Sequence, residues 1–190
     1  DEDVVVLAGD YSWAMKLEDV ASDFEFLNKL KGTKIIIRGN HDYWWSSLSK
    51  VREKLPPKTY ALQNDAIKIG EYIFCGNRGG LIPEGKFNND ENQKIYAREV
   101  IRAELSLQAA KKLQTNNEKI VFVTHYPPFN NKVEPSEYTR LIESQGVSIV
   151  VFGHLHGYVN PQMLYNEING VKYYLTSCDA VKNQLVEIKD

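Results

Sequence analysis

Four short runs of β-branched and aromatic residues each end on a side chain able to ligate a metal, and that pattern constrains the fold more than any other feature. The runs are Val4-Val5-Val6-Leu7-Ala8-Gly9-Asp10, Ile35-Ile36-Ile37-Arg38-Gly39-Asn40-His41-Asp42, Val121-Phe122-Val123-Thr124-His125 and Val150-Val151-Phe152-Gly153-His154-Leu155-His156. All 4 histidines of the 190-residue chain lie in three of these segments. Continuous apolar character, without alternation, is the signature of strands buried on both faces of a parallel sheet. Side chains at the carboxyl ends of such strands meet in the crevice where α/β proteins bind ligands. The expectation is therefore an α/β fold that gathers Asp10, Asn40, His125 and His154 at one end of one sheet.

The segments between these runs supply the helices and turns. Leu17 to Leu30 reads as an amphipathic helix with Val20, Phe24, Leu27 and Leu30 on one face and Gly32 at its close. Ser46 to Leu55 reads as a second helix, stopped by Pro56-Pro57. Residues 66–69 and 72–75 form a candidate hairpin about Gly70-Glu71, and Met163 to Ile168 pairs with Val171 to Thr176 about Asn169-Gly170. The longest periodic segment, Glu91 to Leu113, repeats Ala97, Ile101, Leu105, Ala109 and Leu113 every four residues. Ser136 to Ser144 is a further helix ending at Gly146. No repeat or linker interrupts the chain, so residues 1–190 read as a single domain.

Composition narrows the class of function. A net charge of −2 and a pI near 6.1 argue against a nucleic-acid backbone binder, which needs a basic face. No apolar stretch reaches the roughly 20 residues that span a bilayer, and an acidic start is no secretory signal. Cys75 and Cys178 are too few and too far apart for a disulfide framework, which points to a reducing cytoplasm. Oligomeric state is not encoded in these features.

Two imidazoles, a carboxylate and an amide oxygen make a mixed N/O donor set suited to Mn²⁺, Fe or Zn²⁺. His156 can face the same crevice if the chain turns at Gly153 and Gly157. With Asp10 bridging, it would serve a second ion about 3.5–4 Å from the first, the spacing that polarises a phosphoryl group and acidifies a bridging water. Taken singly, each residue has a structural explanation: a buried hydrogen-bonded histidine, an N-capping Asp10 or Asp42, a turn at Asn40. Their recurrence at the same position after four strands is what those explanations leave out.

Gly9-Asp10, Gly39-Asn40-His41-Asp42, Thr124-His125 and Gly153-His154-Leu155-His156, in that order, resemble the calcineurin-like metallophosphoesterase superfamily. Gly9 through Ala14, Gly39 through Trp45 and His125-Tyr126-Pro127-Pro128-Phe129 look like its bacterial branch of predicted phosphohydrolases. The resemblance implies a sandwich of two mixed β-sheets flanked by α-helices. It implies that Asp10 bridges two metals, that Asn40, His125 and His154 complete the second site, and that His156 belongs to the first. It makes His41 a general acid or charge stabiliser oriented by Asp42, in hydrolysis of a phosphomonoester or phosphodiester by a metal-activated hydroxide. A phosphate-ester small molecule or nucleotide is the implied partner.

The chain departs from the superfamily in two ways. The Asp-x-His motif that precedes Gly9-Asp10 in the family is absent, and Asp1 to Asp3 lie at the wrong end of the first strand, roughly 20 Å from Asp10 at about 3.3 Å per residue. A chain lacking its first strand is expected to have a gap and an unpaired edge in its sheet. It is also expected to hold one metal tightly where the complete protein holds two, and to hydrolyse phosphoesters poorly. Secondly, Tyr11-Ser12-Trp13-Ala14 follows Asp10 where the protein phosphatases carry Asp-Arg-Gly, which argues against a phosphoprotein substrate. Arg78, in Asn77-Arg78-Gly79-Gly80, is a candidate phosphate clamp or an exposed loop arginine. Tyr11, Trp13, Tyr43, Trp44, Trp45, Tyr126 and Phe129 either wall the site or, as aromatics more often do, pack beneath it. Cys178 reads as a buried structural thiol, and Arg38 as paired with a nearby carboxylate. A non-catalytic scaffold of the same fold is the rival to an enzyme; His41 and Asp42, which a scaffold does not need, favour the enzyme.

Overall fold

The computed structural model describes residues 3–188. The chain runs β1 (Val4–Leu7), a 3₁₀ turn (Leu17–Val20), α1 (Ala21–Lys29), β2 (Thr33–Ile37), α2 (Leu48–Lys54), β3 (Thr59–Leu62), β4 (Asp65–Ile69) and β5 (Tyr72–Asn77). It continues through α3 (Asp90–Leu113), β6 (Lys119–Thr124), α4 (Glu137–Ser144), β7 (Ile149–Phe152), α5 (Pro161–Leu164), β8 (Tyr165–Ile168) and β9 (Val171–Leu175). The strands form two sheets. One is parallel, in the order β1-β2-β3; the other is mixed, in the order β4-β5-β6-β7-β9-β8.

Alternation along each strand builds three apolar layers. Ile35, Ile37 and Leu62 face Phe74, Val121, Val123, Ile149 and Val151 between the sheets. Ile36 and Ala61 point the other way, onto Phe24 and Leu27 of α1, Val51 of α2, and Trp44 and Trp45. Ile120, Phe122, Val150 and Phe152 lie under α3 and α4 with Ala103, Leu107, Ala110, Tyr138 and Ile142. Ser136 and Thr139 close α4 with a capping box.

Several expectations change. The four ligand-bearing strands divide between sheets, with β1 and β2 in one and β6 and β7 in the other. The smaller sheet is wholly parallel. β1 is half-buried along its length and, among the described residues, pairs with β2 alone, so it is an edge and not a core strand. Its sheet is contiguous, without the expected gap. Asp3 does precede the amino end of β1, away from Asp10, while Asp1 falls outside the described residues. In α3 the four-residue repeat faces solvent at Ile101, Leu105 and Leu113; the buried face is Tyr96, Glu99, Ala103, Ser106, Leu107 and Ala110. A strict four-residue repeat drifts about 40° per step on a 3.6-residue helix, so it cannot track one core. Leu30 follows α1 in extended backbone and is exposed.

Candidate metal and active site

The site forms where the carboxyl ends of β1 and β2 meet those of β6 and β7. Close backbone approach makes this possible. A Cβ on Gly39 would stand 2.0 Å from Asp10 Oδ1, and one on Gly9 2.6 Å from His125 Nδ1. Gly9 (φ 91°), Asp10 (φ 57°) and His154 (φ 70°) all occupy the left-handed region, which a non-glycine residue holds at a cost of order 1–3 kcal/mol. Two turns, after β1 and after β7, are thus bent to aim side chains at one point.

Asp42 fixes the turn after β1 and the loop after β2. Its carboxylate is fully buried. It accepts from the backbone N–H groups of Asp10 (2.8 Å), Tyr11 (2.8 Å), Ser12 (3.2 Å) and Gly39 (2.7 Å), and from Trp44 Nε1 (2.9 Å). One side chain therefore ties the loop after β1 to the loop after β2. This differs from the role implied by resemblance: the His41 ring is paired through Nδ1 with the Tyr43 hydroxyl, 3.4 Å away. The His41 backbone N–H in turn donates to Asp10 Oδ1 at 2.7 Å.

His125, Asn40 and His154 come together within hydrogen-bonding distance. His125 Nδ1 lies 2.8 Å from the Ala8 carbonyl. A carbonyl can only accept, so Nδ1 carries the proton and the neutral ring leaves a lone pair on Nε2. That lone pair faces Asn40 Oδ1 at 2.7 Å and His154 Nδ1 at 3.2 Å, while His154 Nδ1 is 2.8 Å from the same Asn40 oxygen. Asp10 Oδ2 stands 3.4 Å from His125 Nε2. Burial holds the His125 pKa below its usual value against the pull of the Ala8 carbonyl and Asp10. Burial and the neighbouring His125 push His154 down to about 4. Both rings are thus neutral near pH 7, and the acceptor His125 Nε2 points at the acceptor Asn40 Oδ1.

The donor chemistry fits a cation. Adjacent ligands on an octahedral ion of bond length about 2.1 Å stand about 3 Å apart, close to the separations just given. Among the described residues no group of three or more His, Cys, Asp or Glu side chains stands ready to hold a metal by itself; the cluster depends on the amide oxygen of Asn40.

His156 is set apart from this cluster. It is exposed, with Nδ1 3.0 Å from Asp179 Oδ1. The other oxygen of Asp179 accepts from the Gly157 N–H at 2.8 Å, and these hydrogen bonds, the Gly157 one foremost, lower its pKa. Arg78 lies in the loop directly after β5 and is half-buried rather than exposed. Its guanidinium lies 6.0 Å from the centre of the Tyr126 ring, which packs 4.2 Å from the His154 ring. Its carbonyl accepts from the His125 and Tyr126 N–H groups at 3.1 and 3.0 Å. Arg38 Nε is buried with no hydrogen-bond partner, contrary to the expected pairing; burial first, then Arg78, lowers its pKa. Cys178 is exposed, so it is no buried thiol, whereas Cys75 is buried; both are free.

The sequence matches the calcineurin-like phosphoesterase family over residues 1–158. The chain belongs to that family. No curated protein matches it. Among solved structures, TT1561 of Thermus thermophilus superposes with a TM-score of 0.65 at 17% identity, covering 92% of this chain and 76% of that one. At that identity the likeness concerns the fold: this calcineurin-like chain and TT1561 share a sandwich architecture.

Asp42 as a five-donor anchor and Tyr43 as the partner of His41 were not anticipated. Of the aromatic set, Trp44, Trp45 and Phe129 are core, Tyr11 and Tyr126 half-buried, and Trp13 and Tyr43 exposed. A hydrogen-bond census cannot be read from residue order, though the Gly-Asp and Gly-Asn-His-Asp pairs did mark where tight turns would meet.

Proposed function

We propose that this chain is a metal-dependent phosphohydrolase acting on a phosphomonoester or phosphodiester. The observation that carries the reading is the convergence of His125 Nε2, left unprotonated by the bond of Nδ1 to Ala8, with Asn40 Oδ1 and His154 Nδ1 beside the Asp10 carboxylate. Two acceptors, His125 Nε2 and Asn40 Oδ1, face each other at 2.7 Å, and a positive centre between them would reconcile them. A divalent ion there supplies Lewis acidity toward a phosphoryl oxygen and toward water. In this reading Asp10, Asn40, His125 and His154 are ligands, Mn²⁺, Fe or Zn²⁺ suits them, and His156 serves a second ion. Residues 1–190 act as one domain because each sheet contributes half the donors.

His41 is the residue proposed to act on the substrate. With Nδ1 beside the Tyr43 hydroxyl, Nε2 is left to donate a proton to a leaving oxygen or to bind a phosphoryl oxygen. Asp42 positions it indirectly, by holding Asp10 and Gly39. Arg78, stacked on Tyr126, is proposed to bind a phosphate oxygen. Two free cysteines suit a cytoplasmic setting, and no helix among the described residues is long and apolar enough to cross a membrane.

Turnover of p-nitrophenyl phosphate and of its bis ester with added Mn²⁺ tests the proposal. His41→Ala is expected to lower kcat by roughly 10²–10⁴-fold, the usual contribution of a general acid, without releasing metal. Absence of turnover on both substrates with the metal bound would make the protein a scaffold. Half a turn of the Asn40 amide would present N–H groups to both imidazoles and satisfy them with no cation. Failure to bind any divalent ion would favour that metal-free cluster.

A further inference from the structure

The loop after Asp10 holds a large apolar side chain mostly in solvent. Trp13 is 75% exposed, whereas the other two tryptophans, Trp44 and Trp45, are 1% and 3% exposed. The loop is not slack. Tyr11 and Ser12 donate their N–H groups to Asp42. The Ser12 hydroxyl donates to the Asp23 carboxylate. The Ala14 N–H returns to Ser12 Oγ at 3.1 Å. The indole is therefore presented by an anchored backbone, which lowers the entropy a ligand would have to remove.

Its neighbour is His41, with ring centroids 4.8 Å apart and planes 37° from each other. Tyr43, 51% exposed, meets the same imidazole edge-on at 6.0 Å. Trp13, His41 and Tyr43 thus form an aromatic rim continuous with the cluster, joined to it by the His41 N–H on Asp10 Oδ1 at 2.7 Å. Neither core packing nor phosphoryl chemistry requires a ring at position 13.

We propose that this rim is a recognition subsite for a planar aromatic group on the phosphoester, a nucleobase or an aryl ring, which stacks on Trp13 while the phosphoryl end reaches His41 and the Asn40–His125–His154 cluster. Flat π surfaces stack on indole with little regard to their hydrogen-bonding edges, and alkyl or sugar groups lack that contact. The position of the phosphoryl end rests on the phosphoesterase reading, so the test measures binding and turnover separately.

Because Trp44 and Trp45 are buried, ligand contact should quench the emission of Trp13 alone. AMP, phenyl phosphate and ribose 5-phosphate are titrated in the presence of Mn²⁺, by fluorescence and by calorimetry, against wild type, Trp13→Ala and Trp13→Phe. AMP and phenyl phosphate are expected to quench saturably and ribose 5-phosphate not to. Trp13→Ala should weaken AMP on the order of tenfold, leave ribose 5-phosphate unchanged and keep the far-UV spectrum, while Trp13→Phe retains most of the affinity. Quenching by AMP but not phenyl phosphate narrows the group to a nucleobase. Equal affinity for AMP and ribose 5-phosphate, equal weakening of both in Trp13→Ala, or no binding of AMP overturns the proposal. Discrimination without hydrolysis of p-nitrophenyl phosphate leaves the rim standing and removes the phosphoesterase reading. Hydrolysis without discrimination does the reverse.

Discussion

The two ends of β6 treat their polar groups in opposite ways. At the amino end the Glu118 carboxylate accepts from Lys68 Nζ, from the Thr115 N–H (3.1 Å) and hydroxyl (3.2 Å), and from the Asn116 N–H (2.8 Å). Those donors, Lys68 first, pull its pKa down to about 2. At the carboxyl end His125 gives its one proton to Ala8 and turns a bare nitrogen toward Asn40 Oδ1 and His154 Nδ1. Every acceptor is matched by donors at one end; at the other, His125 Nε2 and Asn40 Oδ1 confront each other as acceptors. A buried polar group kept for architecture is normally saturated, so the unmatched end is where a ligand belongs.

The largest effect is expected at Asp42, a saturated acceptor inside the unsaturated region. Asp42→Ala strands five donors, and denaturant unfolding should show a loss of about 3 kcal/mol or more. A loss near zero would mean the two loops are held by something else. Next comes the cation. Mn²⁺ at 100 times its Kd should raise the unfolding free energy by about 2.7 kcal/mol in wild type and in Glu118→Gln, and not in His125→Ala. Equal stabilisation of all three proteins would place the ion elsewhere.

The smallest effect separates the two ends by pH, measured in chelator. The imidazoles of His125 and His154 have folded pKa values below the ordinary 6.5, so the unfolded chain takes up protons first as pH falls. The contribution of His154 is complete above 6.5 and is lost on the way to about 4, and that of His125 is lost in the same direction. Glu118 is depressed from 4.5 to about 2, so its contribution is complete above 4.5 and disappears toward 2. His154→Gln should shrink the upper window alone, leaving the part due to His125, and Glu118→Gln should flatten the lower alone. A single window removed by either substitution would show that the ends are not independent.

Much of this was legible in the residues themselves. The Gly70-Glu71 and Asn169-Gly170 turns sit where expected, because turn residues act locally. Asp10, Asn40, His125 and His154 converge as the four apolar runs suggested. What could not be read was which sheet each run joins. Ile35-Ile36-Ile37 is apolar at every position because one sheet face meets the other sheet and the opposite face meets α1 and α2, and such a run looks the same in a single parallel sheet. The α3 repeat misled for a related reason: Glu99 and Ser106 are buried by partners distant in sequence. Glu99 accepts from Asn77, and the Ser106 hydroxyl bonds to Gly76 and Asp65, so two polar residues joined the inner face. His156 next to Asp179, and Asp42 with its five donors, depend on the same long-range meetings.

Calorimetric titration of metal-free protein with Mn²⁺ or Zn²⁺, comparing wild type with Asn40→Ala, tests the central claim most directly. The account predicts saturable uptake by wild type that falls by at least about tenfold in affinity in Asn40→Ala, the loss typical of a disturbed ligand shell. Identical binding by the two proteins, or no uptake by wild type, would contradict it.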